Sequence, residues 1–417
     1  MTQQIRSTTL DNGLRVVLEP MPWLPSLSFS FLLPFGVTTD PEHLQGSSVV
    51  LSDWMLRGAA GKDARAWSDA LDNLGVRRGH NTTREFTTFS GSLLSDALPE
   101  TLALYADMLQ APELTENEFS SARALALEDL ASIADNPTQL MFRGLLKEFF
   151  ASEHGRSGYG SQEGLEALTA DTLRTDYQQR VGPQGAILSV AGGISWDDLL
   201  PLVEKTLGAW QGGSAPSYPA VQLSHQEPTV KTHLMDANTS QVHIGLAFDG
   251  PNPGDDTWYP HAVAGSVLSG GMGTRLFTEV REKRGLVYSV YAAMRSLRSF
   301  GYGVAYAGTT PERADTTLEV LLAELDRMRE GVRADELDRA RIGILSSLVM
   351  QGEASGSRAS ALVRDCFTFG EPRSLDSIKQ AINACSLDDV NTYLATRPQV
   401  GYTVARYGPT MEVAEAS

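Results

Sequence analysis

Hydrophobic and polar residues alternate in some stretches of the chain and repeat at helical spacing in others. Leu27, Phe29 and Phe31 alternate with serines, which is the pattern of a half-buried strand. In 97–109, apolar residues recur three and four positions apart, which predicts an amphipathic helix. Similar patterns predict helices at 45–57, 138–150 and 257–284, the last broken at 270–273, and strands at 185–193 and 286–294.

The second half of the chain repeats the order of elements in the first half. Three successive segments of one half correspond to three of the other: 86–94 to 302–310, 97–109 to 313–325, and the helix around Glu118 to the helix around Glu336. A short stretch rich in helix-breaking residues, 212–216, lies between the halves. We therefore predict two homologous domains, 1–212 and 217–417.

The order of these elements favours an α+β fold. Strands that pair as hairpins, followed by long helices, are typical of this class and not of a doubly wound parallel sheet. Each domain is therefore expected to be a mostly antiparallel sheet with helices packed on one face.

The composition is that of a folded, acidic protein. Of the 417 residues, 42% are hydrophobic, which suffices for large cores, and the net charge of -17 disfavours nucleic acid and anionic membrane surfaces as partners. Cys366 and Cys385 cannot form a disulfide framework, and two free thiols favour a reducing compartment. The start of the chain has no apolar signal segment, and no run of ~18 apolar residues follows. We expect a cytoplasmic protein, with the periplasm as the alternative if a leader was removed.

The chain has no obvious self-contained active site. Seven histidines are present, and no two lie four positions apart, so no helix presents a zinc-binding pair: His43, His80, His154, His225, His233, His243 and His261. The run 270–273 lacks the lysine of a phosphate-binding loop, and no Gly-x-Ser-x-Gly elbow follows a strand. No nucleophile has a base at a suggestive spacing.

One segment resembles a known signature. Residues 273–292, GTRLFTEVREKRGLVYSVYA, are similar to part of the second domain of insulinase-like zinc peptidases, the pitrilysin or mitochondrial processing peptidase-like family. That signature is a glycine-rich turn, a helix ending in Arg-Glu-Lys-x-Gly, and a strand with a tyrosine seven residues after the arginine. Here the pair is Arg281 and Tyr288. The opening strand and 153–193 also resemble the family, so the resemblance covers nearly the whole chain and implies a clam-like, two-domain subunit.

The zinc motif of that family is degenerate in this chain. His-x-x-Glu-His falls within 46–59, where Val49 stands at the first histidine, Ser52 at the catalytic glutamate and Asp53 at the second histidine, while Asp129 stands at the distant glutamate ligand. Valine cannot bind a metal, and serine cannot be the base that deprotonates a zinc-bound water. We therefore expect no metal or other cofactor in this chain.

The resemblance implies roles for the residues that remain. Arg281 and Tyr288 would stabilise the charge that develops on a peptide carbonyl oxygen, and Gly270, Gly271 and Gly273 correspond to a turn linked to substrate handling. In two-subunit members, zinc and the Arg/Tyr pair come from different chains. The implied partners are a paralogous subunit with the zinc motif and an extended peptide substrate.

The sequence thus predicts the non-metal-binding subunit of a heterodimeric zinc metallopeptidase, which is inactive alone. A non-catalytic assembly subunit of a larger complex is the alternative. Local sequence also allows a structural role for each residue of the pair: Arg281 complements a helix C-terminus, and Tyr288 packs with its hydroxyl in water.

Overall fold

A computed structural model of the protein describes residues 3–224, 230–235, 239–397 and 401–409. The chain forms two compact units. The first consists of Met1–Ala131, Arg156–Pro219 and Met350–Leu375, and the second of Ser132–Gly155, Ala220–Val349 and Asp376–Ser417. Each unit therefore contains one segment that comes from the opposite half of the sequence.

The first unit is built on a six-stranded sheet. The strands of this unit, two of which lie outside that sheet, are β1 (Arg6–Thr9), β2 (Arg15–Pro20), β3 (Ser26–Leu33), β4 (Gly58–Ala59), β5 (Lys62–Asp63), β6 (Arg77–Thr82), β7 (Thr87–Leu94) and β8 (Ile187–Gly192). The sheet order is β1-β2-β8-β3-β7-β6, and β4 pairs separately with β5. The pairs are antiparallel except β2 and β8, which run parallel.

The second unit repeats this plan with five strands. They are β9 (Val230–Met235), β10 (Val242–Gly250), β11 (Val287–Ser296), β12 (Gly301–Thr309) and β13 (Thr403–Gly408), in the order β11-β12-β10-β13-β9. The pair β13 and β9 is parallel, as β2 and β8 are in the first sheet. An edge hairpin, a central strand and a parallel pair thus recur in both sheets, which confirms the predicted α+β class.

The α-helices in chain order are α1 (Ser47–Met55), α2 (Ala64–Asn73), α3 (Leu98–Gln110), α4 (Glu116–Ser132), α5 (Pro137–Phe149), α6 (Gln162–Ala167), α7 (Ala170–Arg180), α8 (Trp196–Leu207), α9 (Trp258–Ser269), α10 (Ala314–Arg327), α11 (Ala334–Gly352), α12 (Ser355–Phe369), α13 (Leu375–Ala384) and α14 (Leu387–Thr396). Among the described residues, no helix combines the length and the apolar character needed to cross a bilayer.

The first sheet is covered on both faces. Phe29 and Phe31 pack against Tyr105 of α3, with ring centroids 4.8 and 6.2 Å apart. The serine face lies under α12, where the hydroxyl of Ser28 hydrogen-bonds that of Ser355 at 2.9 Å. Ser28 and Ser30 are only 2% exposed, so the predicted half-buried pattern is wrong for the serine face. The reason is that α12 comes from the other half of the chain, which a local pattern cannot reveal.

The second sheet receives α5 in the same way. Met141 and Leu145 of α5 are fully buried in one cluster with Ala247 and Ala405. Gly245 lies on the same face, where an added Cβ would collide with the sulfur of Met141. Each sheet therefore gains one helix from the opposite half of the sequence. The homologous halves 1–212 and 217–417 remain a prediction about the duplication.

Candidate functional site

Arg281 lies on an irregular turn of helix. Residues Phe277–Glu282 form a π-helical segment after the glycine turn, and π-helical turns are frequent at functional sites. The guanidinium is exposed and lies over the ring of Phe277, 5.1 Å from its centroid. Within the described part of the chain it forms no hydrogen bond or ion pair, so its donors are free to bind an external acceptor.

Tyr288 lies at the start of β11, the edge strand of the second sheet. Val287 pairs with Thr309 and Ser289 pairs with Gly308, so Tyr288 is the extra residue of a β-bulge. A bulge turns a side chain away from the regular alternation of the strand. Tyr288 is 64% exposed, and its hydroxyl has no partner among the described residues.

A dense set of ion pairs fixes the turn between these two residues. The carboxylate of Glu279 accepts from Lys283 Nζ at 2.7 Å and from Arg284 Nη1 at 2.8 Å. Hydrogen bonds from Lys283 and Arg284 lower the pKa of Glu279 to about 2, so it stays ionised near neutral pH. Gly285 follows the helical turn with a φ of 59°, a left-handed conformation that glycine adopts without strain at the end of a helix.

The three predicted glycines border a pocket in the second unit. Its walls come from α9, from the turn and from α11: Ser266, Val267, Gly270, Gly271, Gly273, Thr274, Glu336, Arg339, Ala340 and Gly343. An added Cβ at Gly271 or Gly273 would meet nothing within 4 Å, whereas at Gly270 it would collide with Ser266. The turn therefore presents open backbone on one side and packs closely on the other.

An ion pair that the sequence did not reveal holds one wall of this pocket. Arg275 donates to Glu336 through Nε at 2.9 Å and through Nη2 at 2.8 Å. The hydrogen bonds from Arg275 lower the pKa of Glu336. The internal repeat drew attention to Glu336, but nothing in the sequence connected it with Arg275, which lies 61 positions away.

Three of the four positions that the resemblance aligns with the zinc motif, Val49, Ser52 and Asp53, lie on α1, and the polar side chains of Ser52 and Asp53 are used within the protein. Ser52 is buried, donates to the carbonyl of Val49 at 2.9 Å and accepts from Thr82 at 3.0 Å. Asp53 accepts from Nε of Arg57 at 2.6 Å. The Nη1 atom of Arg57 lies 3.2 Å from the carboxylate of Glu118 on α4.

These residues do not fit a zinc ion. Asp129 is exposed on α4, three helical turns beyond Glu118, and Asp53 is neutralised by Arg57 instead of sharing a metal with Asp129. No group of three or more His, Cys, Asp or Glu side chains within the described residues is arranged to hold a metal ion. Zinc prefers nitrogen and sulfur donors in a closed set, and this helix offers neither.

A buried carboxylate that the sequence analysis missed anchors the start of α1. Asp40 accepts from the backbone N–H of Gly46 and from the Ser47 hydroxyl, each at 2.9 Å, and lies 3.4 Å from the Arg180 guanidinium. Burial raises its pKa, against the attraction of Arg180. The sequence holds one local indication of such a residue: α1 begins after Gly46, which has no side chain to cap the helix, so another side chain must do so.

Comparison with known families agrees with this architecture. Residues 15–160 match the family described as "Insulinase (Peptidase family M16)", and residues 167–344 match "Peptidase M16 inactive domain". An uncharacterised zinc protease of Bacillus subtilis is 28% identical over 411 residues, which cover 97% of this chain and 98% of the relative. One of Streptomyces coelicolor is 28% identical over 392 residues, covering 93% and 85%.

Solved structures show the same fold. A peptidase M16 inactive domain from Pseudomonas fluorescens superposes with a TM-score of 0.88 at 20% identity, covering 98% of both chains. A protease from Helicobacter pylori superposes with a TM-score of 0.89 at 16% identity, covering 98% of this chain and all of its own. The sequence matches, the repeated sheets and the order of motifs agree, and the chain belongs to the insulinase-like M16 peptidase family.

Proposed function

We propose that this protein is the non-metal-binding subunit of a heterodimeric zinc metallopeptidase. It supplies Arg281 and Tyr288 to a peptide whose scissile bond lies at a zinc ion held by the partner subunit. The observation that carries the proposal is a contrast between two sets of side chains. Arg281 and Tyr288 are exposed and unpaired within the described residues, whereas Ser52 and Asp53 are engaged in internal bonds.

The irregular backbone at both residues supports a functional role. A π-helical turn and a β-bulge each disrupt regular hydrogen bonding, and such features are common beside active sites. A tyrosine that is 64% exposed contributes little burial to the core, so stability does not account for it. A need for two outward-facing polar groups does account for the arrangement.

The two side chains suit one chemical task. Attack on a peptide carbonyl places negative charge on its oxygen, and a phenolic hydroxyl and a guanidinium both donate hydrogen bonds to such charge. Neither group supplies a nucleophile or removes a proton from water. The chain alone is therefore expected to lack peptidase activity, and the zinc and its base must come from the partner.

The glycine turn is assigned to substrate contact. Gly271 and Gly273 leave their open side unfilled, so a peptide backbone could approach closely there. Met272 at the tip is 75% exposed, and methionine adapts its shape to varied apolar side chains. These features support an extended, sequence-tolerant peptide substrate.

The test is to mix this chain with a paralogue that carries His-x-x-Glu-His and to assay cleavage of a quenched fluorescent peptide. We expect Tyr288→Phe and Arg281→Ala each to lower kcat/KM by about two orders of magnitude, the usual effect of removing one oxyanion donor. Tyr159→Phe is the matched control, because Tyr159 is also exposed at 37% but lies in the first unit. Full activity in both variants would refute the proposal.

The same experiment addresses the alternative function. Stable association with the paralogue, without cleavage by the wild-type mixture, would favour a non-catalytic assembly subunit.

A further inference from the structure

The segment between Arg281 and Tyr288 is held at successive carbonyl groups. The carbonyl of Gly285 accepts from Arg313 Nη1 at 2.7 Å, and the carbonyl of Leu286 accepts from the Thr309 hydroxyl at 2.6 Å. Two backbone bonds close the same turn, from Gly285 N to the Arg281 carbonyl and from Leu286 N to the Val280 carbonyl. Thr309 and Arg313 thus contact the chain two and three residues before Tyr288.

Thr309 is tied to this segment in two ways. As the last residue of β12 it pairs with Val287, directly before the bulge. Its side chain reaches one residue further back, to the carbonyl of Leu286. The next strand partner, Gly308, pairs with Ser289, so Tyr288 is the residue left out between two fixed neighbours. Thr309 therefore fixes the two residues that come directly before the bulge, Leu286 and Val287.

A second buried hydroxyl fixes the orientation of the first. Thr317 of α10 donates to the Thr309 hydroxyl at 3.2 Å, and both threonines are fully buried. The Thr309 hydroxyl accepts one bond and donates one, so its rotation is determined by the two partners. These hydrogen bonds connect Thr317 of α10, through Thr309 of β12, to the carbonyl of Leu286, two residues before Tyr288.

We propose that Thr309 is a positioning residue for the Arg281/Tyr288 pair, with Arg313 as its outer counterpart. By holding the carbonyls of Leu286 and Gly285 they set where the bulge turns Tyr288 out of the edge strand. This inference rests on the proposed function, because it assumes that Tyr288 contacts the reacting carbonyl. A donor displaced by about 1 Å loses much of its effect on the transition state.

The test is a double-mutant cycle in the mixture with the zinc-bearing paralogue. Thr309→Val keeps the shape of the side chain and removes the hydroxyl. We expect it to lower kcat about tenfold with KM unchanged within twofold, because the hydroxyl acts on the transition state through Tyr288. Thr309→Ser retains the hydroxyl, so its kcat should be at least half of the wild-type value. In a Tyr288→Phe background, Thr309→Val should cause no further loss.

Each other outcome identifies what has failed. An equal loss from Thr309→Val with and without Tyr288→Phe would overturn the positioning role and indicate general destabilisation. Normal kcat in Thr309→Val, while Tyr288→Phe is impaired, would overturn it as well. A wild-type mixture without activity would overturn the proposed function and this inference together.

Arg313→Met gives a second measurement, at a residue outside the hydrophobic core. Arg313 is exposed, so its loss should leave folding intact, and we expect a smaller fall in kcat, about threefold, that again disappears in the Tyr288→Phe background. Arg65→Met is the matched control, because Arg65 is exposed on α2 in the first unit. A fall in Arg313→Met that persists without the Tyr288 hydroxyl would contradict the proposal.

Discussion

The guanidinium of Arg358 donates to the carboxylate of Glu19 at 2.7 Å, although the two residues lie 339 positions apart in the sequence. Both side chains are almost fully buried, at 3% and 6% exposure. The pair joins α12 to β2 and is reinforced by Gln3, which donates to the same carboxylate at 2.6 Å. It is a buried, charged contact between the first sheet and the helix supplied by the second half of the chain.

Removing one partner of this pair should destabilise the first unit strongly. We expect Glu19→Gln to lower the free energy of unfolding by about 3 kcal/mol, because it leaves a buried guanidinium without its counter-charge. Urea denaturation followed by far-UV circular dichroism measures the change. The double variant Glu19→Leu/Arg358→Met should lose less than either single variant. Asp69→Asn, which breaks the exposed pair with Arg65, should leave stability unchanged, and an equal loss there would contradict this account.

Stability should also depend on His261 at mildly acidic pH. Its Nδ1 hydrogen-bonds the Tyr393 hydroxyl at 2.7 Å, and burial, aided by Arg397, lowers its pKa from 6.5 to about 4. The unfolded chain therefore binds a proton between these values that the folded chain does not bind. The contribution of His261 is fully present above about pH 6.5 and is lost as pH falls towards 4.

The expected size of the effect is about 2 kcal/mol between pH 7.5 and pH 5. Urea midpoints at the two pH values measure it. His261→Gln should remove this part of the pH dependence, whereas His43→Gln, at an exposed site, should retain it. A variant at His261 with the same pH slope as the wild type would show that other groups dominate.

The pocket beside the glycine turn has open space at Gly343, where a side chain can be added. An added Cβ at Gly343 of α11 would meet nothing within 4 Å, so Gly343→Ala should stabilise the helix by about 0.5–1 kcal/mol. Gly343→Leu should project into the pocket. If substrate enters there, the leucine variant should raise KM about tenfold with little change in kcat, because it removes ground-state binding.

The alanine variant is the control for this measurement, since it changes the helix and leaves the pocket open. Peptide cleavage by the mixture with the zinc-bearing paralogue supplies both constants. An unchanged KM in Gly343→Leu would show that the substrate does not use this pocket.

Local elements and family were predictable because they depend on neighbours in the chain. The helix predicted at 138–150 is α5, and the strand predicted at 286–294 is β11, each displaced by two residues or fewer. The break at 270–273 separates α9 from the π-helical segment, as glycines there predicted. Motif spacing identified the insulinase-like family for the same reason.

What could not be predicted depends on contacts between distant residues. The serines of β3 look solvent-facing in sequence, but α12 covers them from more than 300 positions away, as the Ser28–Ser355 bond shows. By its place in the sequence, Asp53 aligns with a zinc ligand of the family, and only the fold reveals that its carboxylate forms an ion pair with Arg57. Periodicity describes how hydrophobic and polar residues alternate along a segment. It does not indicate which other segment packs against it.

The sequence by itself determined the elements, the repeated order of the two halves and the family of this protein, because periodicity, turn residues and motif spacing are local properties. Tertiary structure alone decided that each sheet receives a helix from the opposite half and that Tyr288 turns outward on a bulge beside Thr309. The physical reason is that burial and strand register arise from long-range packing, which no single stretch of residues encodes.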